Sequence, residues 1–321
     1  MAKDFSRQTI DKKEKLISFL KKVIPFVGLI VLFVLFALTT NGKFLKPTNL
    51  TNILTQSCVT MIAAVGCTFV MAHNNLDFSL GGACALCAVA AIIVGNKVSI
   101  ALIVPVCLVV GVLCGLITGI LHIKMKIPAF MAGMCIMFIG RGVAQGTYQI
   151  FPMRLPTEYK ILQETWFYVA LTIVVFIAAY IVFEYTKIGK YNKLIGSNPK
   201  CAELSGVNVD MYKVIAFAIS GLCVGIAAFA TVIRGGGAGA QTGMSLETNV
   251  LLSLTLGGIP LAGGSETKLR SAILGSLTLF ILSNGLTLWG IDPTLANVVK
   301  GVVFLVVVFM SIGRENGKVM A

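Results

Sequence analysis

The side chains best suited to chemistry are two cysteines and two histidines. Cys84 and Cys87 form a C-x-x-C pair, the spacing of many metal and redox sites. The pair lies within a run of Ala, Leu and Gly and has no second pair, so we predict packing, with metal or redox chemistry as the alternative. His73 and His122 are far apart in the sequence and fall at the predicted inner ends of membrane spans, which favours polar interface residues. The sequence therefore predicts no metal site.

The sequence contains no motif for catalysis or nucleotide binding. Its Gly-Lys pairs lack both the following hydroxyl residue and the upstream glycine of a phosphate-binding loop, and no Gly-x-Ser-x-Gly is present. Asp77 is expected in an inner turn, and Glu247 and Asp292 at the outer ends of spans. Without a carboxylate pair inside a span, ion coupling is not favoured. We therefore expect no enzyme activity and no cofactor, and any energy source must be a separate protein.

The elements that position these residues must be membrane helices. Of the 321 residues 57% are hydrophobic and 12% charged, and the mean hydropathy is +0.91. Soluble domains carry about 25% charged residues. The apolar runs are continuous rather than alternating, which predicts an all-α integral membrane protein. About ten transmembrane helices are expected, at residues 23–40, 52–72, 78–95, 99–121, 128–146, 164–183, 212–233, 246–262, 270–288 and 294–312. The spans 52–72 and 246–262 begin with polar residues and are candidates for broken or tilted helices.

The positive charges predict the orientation of these helices. The net charge is +13, and most of the Lys and Arg residues fall in segments on the same side as the amino terminus. The positive-inside rule accounts for this excess without a nucleic-acid partner and places both termini in the cytoplasm. We expect a cytoplasmic segment at 1–22, a single transmembrane domain at 23–312 with a cytoplasmic loop at 184–211, and a cytoplasmic tail at 313–321.

The cytoplasmic loop is predicted to contain a short helix. Ser197 or Asn198 can cap it, Pro199 suits its first position, and Gly206 suits its end. A helix of about two turns is marginal by itself, so we expect it to dock on another surface.

Two basic residues lie within predicted spans, Arg141 and Lys300. They could snorkel to the outer surface or pair with Glu247 or Asp292. The alternative is that they line an outward-facing vestibule.

Five stretches of the sequence, taken in order, resemble the ribose-type permeases of ATP-binding-cassette (ABC) importers. The strongest is Gly196-Ser-Asn-Pro-Lys-Cys-Ala-Glu-Leu-Ser-Gly-Val-Asn-Val, which is similar to the segment that couples those permeases to their ATPase. The others are 64–70 with 76–81, 127–130 with 140–142, 256–264, and 284–290 with 299–301. The resemblance covers about residues 40–312.

The resemblance implies a multi-pass permease of the bacterial cell membrane. Its implied partners are a second permease, identical or related, cytoplasmic ATPase subunits and an extracytoplasmic sugar-binding protein. Residues 199–206 would be the coupling helix, with Leu204 as an anchor in an ATPase groove and small residues allowing close approach; contact with the chain's own loops is the alternative. The implied coupling residues are Pro199, Ala202, Glu203, Leu204, Ser205 and Gly206.

A neutral monosaccharide as cargo fits the lack of charge within the spans, because sugars are bound by hydroxyl and amide groups. Polar residues in spans also join helices to one another, which is the alternative for each candidate. Gly111, Gly115 and Gly119 follow a helix-packing pattern and could instead contact the second permease. The rival functions are a stand-alone facilitator or secondary transporter for a small neutral solute and, third, a membrane enzyme. The candidates for the path are Gln56, Ser57, Thr60, Asn249, Ser253, Thr255 and Asn284.

Overall fold

The structure is a computed structural model that describes residues 23, 25–151, 153–155, 162–260, 263–264 and 266–312. Over these residues it is all-α, as predicted, and the proposed terminal segments 1–22 and 313–321 lie outside them. A π-helical turn, Ile181–Tyr185, continues the helix Thr165–Tyr180. The helices are α1 Pro25–Thr39, α2 Pro47–Ala72, α3 Leu80–Lys97, α4 Ile103–Lys124, α5 Ala129–Ile150, α6 Thr165–Tyr180, α7 Lys187–Ser197, α8 Pro199–Leu204, α9 Val209–Gly235, α10 Leu246–Leu256, α11 Arg270–Leu288 and α12 Pro293–Ile312.

Each of the ten predicted spans coincides with a helix in this part of the chain. Seven of them are long and apolar enough to cross a membrane: α2, α3, α4, α5, α6 with its π-helical turn, α9 and α11. The apolar stretches in α1, α10 and α12 are shorter. With 11 residues, α10 is about 16 Å long, half of a hydrocarbon core. The prediction of a full helix over 246–262 is therefore wrong, and the expectation of an interrupted one is met.

The centre of the bundle is α2, which is buried from Ser57 to Ala72 and packs against α6, α9, α10 and α11. Seven of the nine cysteines, including Cys84 and Cys87, are buried with free thiols, and Cys135 and Cys201 are exposed. Burial among apolar neighbours agrees with the packing role predicted for the C-x-x-C pair.

The glycines of α4 pack against α9. A Cβ atom on Gly111 or Gly115 would overlap the backbone of α9 at Gly221 or Phe217, and one on Gly119 would come within 3.1 Å of the Phe217 side chain. This face is therefore occupied inside the chain, and the alternative that it forms the contact with a second permease is wrong.

Candidate functional site

Arg141 on α5 and Glu247 on α10 form an ion pair in the interior of the bundle. The Arg141 Nη2 atom lies 2.7 Å from Glu247 Oε1, and the side chains are 29% and 7% exposed. The predicted alternative of pairing with Glu247 is confirmed. Because charges removed from water are costly unless they are paired, each residue depends on the other.

Arg141 also borders an open hollow of about 90 Å³. Polar atoms reach it from Gln145 on α5 and Thr242 in the loop before α10, and Ala85 and Val89 of α3 form its apolar wall. The paired guanidinium has further N–H donors for a ligand in the hollow. The two alternatives for Arg141, pairing and lining a vestibule, are therefore compatible.

Asp77 lies in the connection between α2 and α3, where a turn was expected, and it is buried inside the bundle. It is 1% exposed, and its Oδ1 atom accepts hydrogen bonds from the Ser79 amide (2.9 Å) and hydroxyl (2.6 Å). Its Oδ2 atom accepts a 3.0 Å bond from Ser220 Oγ, near the middle of α9. Asp77 belongs to residues 75–79, which have no regular secondary structure and connect the end of α2 to the start of α3.

The first turns of α3 and α10 meet at Gly81. A Cβ atom on Gly81 would overlap both the Gly243 carbonyl and the Glu247 carboxylate. Glu247 is thus beside the start of α3 and not at the outer end of a span. We call Asp77, Gly81, Arg141, Ser220 and Glu247 the polar junction. Discontinuous helices of this kind form substrate sites in other transporters, where the irregular backbone is sheltered from lipid.

The three path candidates on α2 differ in their surroundings. Gln56 is exposed, and it shares one face of the first half of α2 with the exposed Thr51 and Asn52. Ser57 and Thr60 are buried, and Ser57 Oγ bonds to the Leu54 carbonyl. An exposed polar face on a spanning helix fits contact with water or another subunit better than contact with lipid.

The remaining path candidates are mostly engaged within the chain. Asn249 is half-buried, and the hydroxyl of Thr255 bonds to the carbonyls of its own helix. Ser253 is buried, and its hydroxyl has no hydrogen-bond partner in the described part of the chain. Asn284 forms a reciprocal amide pair with Asn49 of α2, at 3.0 and 2.9 Å. The alternative role of joining helices therefore describes Asn284 better than the path does.

The predicted short helix is present as α8. Asn198 caps it, with Oδ1 accepting from the amides of Lys200 and Cys201 at 3.0 and 3.1 Å. Ser197, the other candidate cap, belongs to α7 and bonds back to the Lys193 carbonyl. The helix ends at Leu204, two residues before Gly206, whose φ of +79° favours glycine.

The two apolar residues of α8 face opposite ways. Leu204 is 82% exposed, whereas Ala202 is fully buried against Ile195 and Val207. The expectation that Ala202 gives a partner close approach is therefore not met, because its side chain fixes α8 to its own chain. The other coupling candidates, Pro199, Glu203, Ser205 and Gly206, are exposed.

The two histidines, distant in sequence, come together through one amide. Asn75 Nδ2 lies 2.9 Å from His73 Nδ1 and 3.3 Å from His122 Nε2, and both rings lie near Phe217. Burial, together with the positive charge of Lys213, lowers the pKa of His73 from 6.5 to about 3. The pair lies beside the turn after α2, and its spacing in the sequence does not predict this contact.

Lys300 and Asp292 do not form the alternative ion pair within the described residues. Asp292 Oδ1 instead accepts a 2.8 Å bond from the Thr294 amide at the start of α12. This bond holds the pKa of Asp292 below its usual value.

Comparison with known proteins supports the resemblance. A family described as branched-chain amino acid transport system / permease component matches residues 49–308. The chain is 33% identical to the ribose import permease protein RbsC of Escherichia coli K12, over 88% of this chain and 92% of that one. It is 30% identical to RbsC of Bacillus subtilis 168 (94% and 96%) and to the galactofuranose transporter permease protein YtfT of Escherichia coli K12 (82% and 79%).

No solved structure matches the chain. The matched relatives are named as permeases and not as enzymes. Together with the apolar helices, these matches show a multi-pass protein of the bacterial cell membrane. The chain belongs to this family of transport permeases and is a ribose-type ABC permease.

Proposed function

We propose that this permease forms, with a second permease subunit, the path by which a monosaccharide enters the cell. One observation carries the proposal: α9 begins five residues after the exposed Leu204 and, through Ser220, bonds to Asp77 inside the bundle. A single helix thus connects a cytoplasmic contact surface with the polar junction. Movement of α8 can therefore be transmitted to the interior as movement of a rigid body.

At the cytoplasmic end, we propose that an ATPase subunit binds α8 around Leu204. The exposed Pro199, Glu203, Ser205 and Gly206 form the rest of this surface, and the buried Ala202 transmits the force to α7 and α9. The rings of Tyr191 on α7 and Tyr212 on α9 pack edge to face 4.8 Å apart beside it. This packing holds α8 in a fixed position relative to α7 and α9, although the helix has only six residues.

In the interior, we propose that sugar hydroxyls contact the hollow beside Arg141 and the polar face of α2 that carries Gln56. Charged and amide side chains with free donors and acceptors suit a neutral polyol. Of the other path candidates, Asn249 is half-buried, and Ser253 is buried with no hydrogen-bond partner for its hydroxyl among the described residues. The hydroxyls of Ser57, Thr60 and Thr255 are buried as well. A ribose-like pentose or hexose agrees with the cargoes named for the relatives.

For the topology, we propose ten crossings with both termini in the cytoplasm. The loop before α10 reaches Gly81 inside the bundle, so α10 begins within the membrane. The short α10 and the non-helical chain next to it together make one crossing of the membrane. This preserves the even number of crossings that the positive-inside rule requires. The implied partners are the second permease, the ATPase subunits and an extracytoplasmic sugar-binding protein.

Reconstitution separates this function from that of a stand-alone facilitator or secondary transporter. The permease is placed in liposomes with its ATPase subunits and sugar-binding protein, and entry of labelled ribose, galactose and galactofuranose is measured. We expect uphill accumulation of one sugar that requires ATP and every partner. Accumulation or rapid equilibration by the permease alone would contradict the proposal.

A further inference from the structure

A second polar cleft lies apart from the polar junction, at the inner ends of α4 and α9 in the proposed orientation. It is open, has a volume of about 410 Å³, and lies between the α4–α5 turn and the first turn of α9. Its lining is His122, Ile123, Lys126, Ile127, Pro128, Asp210 and Lys213. Because both helices end here, the cleft lies at the level of the lipid headgroups.

The charged groups that face the cleft are Lys126, Lys213 and Asp210. Within the described part of the chain neither lysine forms an ion pair, so two ammonium groups face one carboxylate. His122 adds no free donor, because Nδ1 lies 2.7 Å from the Ile127 carbonyl and Nε2 faces Asn75. The cleft therefore has an unmatched positive charge suited to an anion.

The surface next to the cleft is apolar. Ile123, Ile127 and Pro128 form its floor, and Met125 and Phe130 on the same turn are 62% and 42% exposed. Further along, α4 and α5 expose large apolar side chains such as Ile120 and Met134. A soluble anion would use none of this surface, whereas acyl chains attached to the anion would cover it.

We propose that this cleft binds the phosphate headgroup of an anionic phospholipid of the inner leaflet. Lys126 and Lys213 contact the phosphate, and the acyl chains lie along α4 and α5. The cleft adjoins the first turn of α9 at Asp210, three residues after the buried Val207 that helps to hold α8. A bound lipid would therefore stabilise the base of the proposed coupling surface.

The test is titration of the purified permease with phosphatidylglycerol and phosphatidylcholine, with binding followed by native mass spectrometry. We expect tighter binding of phosphatidylglycerol. Replacing both lysines (Lys126→Asn with Lys213→Gln) should weaken it about 25-fold, since each basic residue near a membrane surface contributes about 1 kcal/mol, or about fivefold. Asn is chosen for Lys126 because the backbone there has φ of +55°, which Asn tolerates.

The matched control is Lys187→Gln with Lys190→Gln, which removes the same charge from exposed positions on α7 and should keep wild-type affinity. An equal loss in this control would overturn the proposal, because diffuse surface charge would then explain the selectivity. Competition by soluble glycerol phosphate would also overturn it, since the ligand would then be a free phosphate compound.

A gain-of-affinity variant keeps the proposal testable if the double lysine variant does not fold. Asp210→Asn removes the carboxylate that opposes a phosphate in the cleft, and it should raise the affinity for phosphatidylglycerol and not for phosphatidylcholine. Unchanged affinity in this variant would overturn the proposal.

Discussion

The surface of α8 and the polar junction are both connected to α9, yet different forces hold them. The α8 surface presents a leucine to water, and losing that side chain costs the fold little. The polar junction keeps two carboxylates and a guanidinium inside the bundle, where each needs its partner. Changes at the junction should therefore alter both stability and transport, whereas changes at Leu204 should alter assembly alone.

The largest effect is expected from Glu247→Gln. The substitution leaves the partly exposed Arg141 without its counter-charge, which should lower the free energy of unfolding by about 2–3 kcal/mol. Thermal unfolding in detergent and the yield of folded protein in the membrane measure this loss.

The control replaces both partners, as Arg141→Met with Glu247→Met. No charge then remains buried, so stability should return towards the wild-type value while sugar import stays low. If Glu247→Gln alone is as stable as the wild type, the ion pair is not needed for folding, and the polar junction would not differ from the α8 surface in its effect on stability.

The next effect is expected from Ser220→Ala, which removes the bond between α9 and Asp77. Leaving a buried acceptor without its hydrogen bond costs about 1–3 kcal/mol, so the free energy of unfolding should fall by about 2 kcal/mol. Import should fall further than this loss explains, while ATP hydrolysis by the assembled transporter continues. The control is Thr231→Ala on the same helix, whose hydroxyl donates to the Ala227 carbonyl and not to Asp77, and which should not affect import.

The third effect is a dependence of stability on pH. Because the pKa of His73 is lowered to about 3, the unfolded chain binds a proton between that value and 6.5 that the folded chain does not. The free energy of unfolding therefore falls as the pH drops below 6.5, by about 1 kcal/mol at pH 5.5. The difference between the wild type and His73→Gln, followed by unfolding across this range, should show that slope.

The sequence predicted the α8 region well and the polar junction poorly. The cap at Asn198, the proline at the first position and the glycine after the end are local signals, and all three are used. The positions of the apolar helices were also predictable, because most of the apolar runs are continuous, although seven helices in the described part of the chain are long and apolar enough to cross a membrane. The ion pair was only one of several alternatives, because Arg141 and Glu247 lie more than 100 residues apart.

The depth of Asp77 could not be predicted because hydropathy treats every polar stretch between spans as surface. The only local signal is the glycine pair Gly81-Gly82 just after it, where both glycines accept close backbone contacts, with α5 at Met137 and with the loop before α10 at Gly243. Small residues beside a polar turn indicate that something packs closely there, but they do not identify it. The partner is set by tertiary structure, as it is for Asn75 between the two histidines.

The smallest effect on stability is expected from Leu204→Asp, and it tests the comparison most directly. An exposed side chain has little influence on the fold, so unfolding should change by less than about 0.5 kcal/mol. An aspartate in an apolar groove would be desolvated, so the ATPase subunits should no longer copurify with the permease, and import should stop. The contrasting variant is Ala202→Asp, on the same helix but buried, which should destabilise the region around α8. If the Leu204→Asp variant still copurifies with the ATPase subunits and imports sugar normally, α8 is a surface helix that contacts this chain alone. The ATPase must then bind another part of the permease.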